Sequence, residues 1–79
     1  MMEDEDNNGI RKRIEKDIAS FYPSVESAKT DGAASKVIEM ARMYASDAKS
    51  YFEKGDLYTA FSCISYAHGM LDAVKEMGG

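Results

Sequence analysis

The chain has one cysteine, one proline and one histidine in 79 residues, and no long apolar run. A lone thiol, Cys63, cannot close an internal disulfide and fits a reducing, cytoplasmic setting. A membrane span needs ~18 or more consecutive apolar residues, so no membrane association is expected. The chain opens on acids, not on a basic segment, which argues against a signal peptide. No HExxH or CxxC spacing is present, and Gly32, Gly55 and Gly69 stand singly, so neither a zinc motif nor a phosphate-binding loop can be read. The length suits one small domain and not a multidomain enzyme. The reading is of a non-enzyme with no cofactor and no metal.

Charge of one sign is also missing once its location is considered. The formal net charge is −4, but Glu3, Asp4, Glu5 and Asp6 are consecutive acids, and the remainder is balanced. Such a block usually stays solvated, so residues 1–9 are expected to form a disordered acidic tail ahead of a single domain over 10–79. A nucleic-acid surface would need a one-sided basic excess. The single basic cluster, Arg11-Lys12-Arg13, is followed closely by Glu15 and Asp17 and reads as a solvated first turn. No nucleic-acid partner is expected.

What the chain does have is helical periodicity. Ile10, Ile14, Ile18, Phe21, Val25 and Ala28 recur three or four residues apart and line one side of a helix. Pro23 interrupts the run chemically but not its phase. One helix over about 10–29, bent near Ser20, is therefore predicted, with two short helices as the fallback. Thr30-Asp31-Gly32 ends it, Gly32 suiting the left-handed position and Thr30 or Asp31 capping the next helix. A second helix over about 33–54 carries two apolar stripes: Val37, Ala41, Tyr44, Ala48, Tyr51 and Ile38, Ala41, Ala45, Ala48, Phe52. Its alanines allow close approach of a neighbour. Gly55 as stop and Asp56 as N-cap make a tight turn into a third helix, about 57–77. The fold class is an all-α, antiparallel, up-and-down three-helix bundle.

The third helix is unusual. Leu57, Ala60, Ile64, Ala67, Leu71 and Val74 form its seam, yet Asp72 is the one formal charge between Leu57 and Val74, against eight between Ile10 and Lys29. Away from the seam stand Phe61, Cys63, Tyr66, Met70 and the small Ser62, Ser65 and Gly69. A helix apolar on most sides expects burial on most sides, and two neighbours cover only part of it. A domain this short also sits close to the limit of what its own core can stabilise. Self-association, with a dimer favoured, or docking of a partner protein is expected through Tyr58, Phe61, Ser62, Ser65, Gly69 and Met70.

Few residues offer chemistry. His68 and Asp72 are one turn apart and Asp47 lies on the adjacent helix, but no nucleophile or full ligand set accompanies them. A hydrogen-bond network fixing helix register is the favoured reading, and Tyr44, Asp47, Tyr66, His68 and Asp72 form a candidate polar cluster or ligand site. Cys63 is expected to behave as a small hydrophobe. Met40, Met43, Tyr44, Tyr51 and Tyr66 are expected to pack, or to offer an adaptable docking surface.

Tyr44-Ala45-Ser46-Asp47-Ala48, Tyr51-Phe52-Glu53-Lys54-Gly55-Asp56, Thr59-Ala60-Phe61 and Ser65-Tyr66-Ala67-His68-Gly69-Met70-Leu71-Asp72-Ala73 resemble the archaeal domain of unknown function family 357. The close likeness covers residues 44–73, and residues 10–43 agree in helical pattern. Tyr44, Asp47, Gly55, Asp56, Tyr66, His68, Gly69 and Asp72 match the family's motif, whereas Pro23 departs from its uninterrupted first helix. The resemblance implies a small three-helix bundle from an archaeal cytoplasm, without an established activity, in a family whose members sometimes accompany nucleotidyltransferase-like domains. A weaker likeness connects the helix–Gly–Asp–helix pattern to helical partners of nucleotidyltransferases. Ribonucleases of that group carry an Arg upstream of a His, and Arg42 is too distant from His68 to support that activity. The leading expectation is a non-catalytic interaction module; the alternative is a small-ligand or nucleotide-binding accessory domain.

Overall fold

The computed structural model describes the backbone of residues 2–28 and 32–77, with side chains over 8–28 and 32–76. Three helices follow in order: α1 (Met2–Ser27), α2 (Ala33–Lys54) and α3 (Leu57–Met77). They form an all-α bundle in which α2 and α3 are the intimate pair and α1 rests more on α3 than on α2. The small residues explain this asymmetry. Ala41, Ala45 and Ala48 of α2 and Ala60 and Ala67 of α3 are completely buried, so the two backbones approach closely. Phe21 and Val25 of α1 join Ile64, Leu71 and Val74 in one core cluster, and Ile14 is completely buried one to two turns earlier in α1.

The turn between α2 and α3 is specified locally. Gly55 adopts φ 88°, ψ 4°, the left-handed conformation that glycine takes without a Cβ penalty. Its amide donates to the Phe52 carbonyl at 3.1 Å and the Asp56 amide donates to that of Tyr51 at 2.9 Å. These are the paired bonds of a Schellman cap. Asp56 then caps α3, its Oδ1 accepting the Thr59 amide at 3.2 Å. One short segment closes one helix, opens the next and reverses the chain.

The first helix differs from expectation at its start. It begins at Met2, so residues 2–9 of the segment expected as a disordered tail lie in the helix, and it ends at Ser27. Acidic residues are favoured at the N-terminal end of the helix dipole, a contribution that like-charge repulsion alone leaves out. Pro23 lies inside α1 without dividing it. Pro23 itself is exposed while Phe21 and Val25 are buried on either side of it, so the core holds the helix through the missing amide. At the other junction, Gly32 serves as the N-cap of α2 with φ 59° and no side-chain cap. Thr30 and Asp31, read as candidate caps, lie outside the described residues.

Candidate functional site

Two surfaces emerge from the residues singled out by sequence, and they lie on different sides of α3. The first is a junction with α1. His68 Nε2 is 2.8 Å from the main-chain oxygen of Asp17. A carbonyl can only accept, so Nε2 carries the proton and donates it. The imidazole also meets Phe21 edge-on, with centroids 5.7 Å apart at 90°. His68 therefore ties α3 to α1 through the backbone of one residue and the ring of another.

This is not the network read from spacing. Asp72 and Asp47 are both exposed, and the hydrogen bond of His68 goes to Asp17 instead. The five residues of the candidate polar cluster do not converge. Tyr44 and Tyr66 stack across α2 and α3 at 5.3 Å and 16°. Asp47 sits beside Tyr44, Met40 and Met43 around a shallow hollow, and His68 faces α1. The reason is helical: residues two apart point roughly 200° away from each other, so Tyr66 and His68 cannot share one pocket. Sequence reasoning missed the partner of His68 because a backbone carbonyl leaves no signature in residue identity.

Replacing His68 by Ala should lower the unfolding free energy by about 1–2 kcal/mol, the sum of one hydrogen bond and an aromatic edge contact. Asp72→Asn should change it by less than about 0.5 kcal/mol. Urea denaturation of the two variants compares them directly. Equal losses would mean that His68 and Asp72 act as a pair.

The second surface is the outer side of α3. Phe61, Ser62, Ser65, Tyr66, Gly69, Met70 and Ala73 line a shallow groove open to solvent. Five of the six residues of the candidate interface lie along it. The sixth, Tyr58, lies in the adjoining hollow with Ile10, Arg13, Leu57 and Phe61. Tyr58 is 82% exposed, Tyr66 64% and Phe61 38%. Ser65, Gly69 and Ala73, each four residues from the next, form the floor, with Phe61 on one flank and Tyr66 and Met70 on the other. A Cβ placed on Gly69 would meet nothing within 4 Å. The bundle itself therefore gives no steric reason for glycine in the middle of this helix.

Cys63 is half-buried and its thiol pKa lies above the ordinary value, through burial first and then the negative charges of Asp47 and Asp56. Raising a thiol pKa lowers the thiolate fraction, which is the opposite of activation. Among the described residues, no group of three His, Cys, Asp or Glu side chains is placed to hold a metal ion, and no helix is long and apolar enough to cross a membrane.

An all-helical bundle with a capped α2–α3 hairpin, a His68 stitch to α1 and an open outer face on α3 is the class that these features define. Residues 11–79 match the family described as Protein of unknown function (DUF357), and the chain belongs to that family. The match takes in α2 and α3 and reaches into α1. No curated protein matches the chain.

Proposed function

We propose that this protein is a non-catalytic interaction module of an archaeal cytoplasm, and that it self-associates, or docks a partner protein, through the outer face of α3. The observation that carries this reading is an apolar groove left open along the least charged helix. Contiguous exposed apolar surface rimmed by polar residues is the kind of surface that interaction sites use. The outer side of α3 is open to solvent along its length, from Tyr58 and Phe61 through Ser65, Tyr66 and Gly69 to Ala73.

Gly69 strengthens the argument. Glycine within a helix costs about 1 kcal/mol relative to alanine, and nothing inside the bundle requires it. An approaching helix from outside would. Gly69→Arg or Ser65→Arg should therefore abolish assembly while leaving far-UV circular dichroism intact. Size-exclusion chromatography with light scattering at micromolar concentration reads the mass. An unchanged oligomer in both variants would refute the reading.

A further inference from the structure

Resting on the proposed role of the α3 face, we infer that its occupant is a second copy of this chain, packed antiparallel about a two-fold axis that runs between the two α3 helices at the level of Ala67. Charge carries the choice. At the start of α3 the groove is flanked by Arg13, which shares a hollow with Tyr58 and Phe61. At its far end the outer face bears Asp72 and Glu76, both exposed. Lys75 stands about 100° round from Glu76, toward α1, and Asp56 about 200° round from the Tyr58 direction, so neither lies on this face. A parallel pair would set Arg13 beside its own copy and the acids beside theirs. An antiparallel pair sets Arg13 of each copy against Asp72 and Glu76 of the partner subunit, twice.

Shape agrees with charge in that register. Ser65 falls opposite the partner's Gly69, which puts the two small residues at the closest approach of the helices. Phe61 falls opposite the partner's Ala73, a large side chain against a small one. Each relation is repeated by the two-fold, as an isologous interface requires. The glycine that the single bundle leaves unexplained then sits where the backbones come nearest.

The test uses charge reversal in the full chain. Arg13→Glu should weaken the dimer by about tenfold or more, because like charges then meet at two symmetric places. Asp72→Lys combined with Glu76→Lys should do the same. All three positions are exposed, so the fold should not change. Mixing the two variants should restore the wild-type mass: in the mixed pair every contact again joins opposite signs. Sedimentation equilibrium, with one variant carrying a mass tag, reads all three samples. Variants that dimerise like the wild type, or a mixture no heavier than its components, would overturn this arrangement. If Gly69→Arg still dissociates the protein in that case, the face remains the interface and the antiparallel register alone falls. A wild-type chain that stays monomeric at all concentrations would defeat both.

Discussion

Phe21→Ala should lower the unfolding free energy by about 3–5 kcal/mol. Phe21 is completely buried and is the largest such side chain among the described residues. It faces two aromatic neighbours, Tyr22 at 5.3 Å and 86° and His68 at 5.7 Å and 90°. Truncation opens a cavity where α1 meets α3, and α1 has little contact with α2 to fall back on. Domains of this size hold about 5 kcal/mol in reserve, so the loss should remove most of the margin of stability. Thermal denaturation followed by circular dichroism should show a midpoint lower by roughly 12 °C or more, at about 4–8 °C per kcal/mol. A shift of only a few degrees would mean that α1 is an accessory to the α2–α3 hairpin and not part of its core. The His68 contact should go with it, since the ring that orients the imidazole edge is then absent.

The sequence reading located α2 and α3 within the residues observed because their signals are local. Gly55 and Asp56 act through their own backbone and side chain, and each does in the structure what its residue type allows. The core was legible for the same reason: Ile64, Ala67, Leu71 and Val74 keep one phase and are all buried. Two places resisted. The start of α1 depends on a balance between like-charge repulsion and the helix dipole, and composition reports only the first. Ile10, placed on the α1 seam, is 45% exposed, because it lines the open hollow beside Leu57 and Tyr58 at the start of α3 and not the closed core.

The candidate surfaces divide along the same line. The outer face of α3 was readable as a deficit of charge, and the groove forms where that deficit lies. The partner of His68 was not. Spacing offered Asp72 one turn away, but a side chain one turn along competes with whatever the neighbouring helix presents, and here that is the Asp17 carbonyl. A cross-helix contact to backbone depends on how α1 crosses α3, which no local pattern encodes.

Two alanines separate the packing of this bundle from its outward face. Ala45 and Ala73 both lie within helices, so exchanging either for Leu changes intrinsic helix propensity little. Ala45, however, is completely buried in the core shared by the three helices, whereas Ala73 is exposed at the groove. Ala45→Leu adds three carbons to a contact with no room for them. It should cost about 1–3 kcal/mol, or more if the helices are forced apart, because a close-packed interface cannot absorb them without shifting backbone. Ala73→Leu should leave the stability of the isolated bundle within about 0.5 kcal/mol. Urea denaturation at high dilution, where association makes no contribution, measures both on the same footing. Equal and small effects would mean that α2 and α3 are loosely apposed and that the alanines are there for propensity alone. A large loss at Ala45 together with none at Ala73 would show that small residues serve two ends here, holding α2 and α3 together on one side of α3 and leaving its other side open for a second chain.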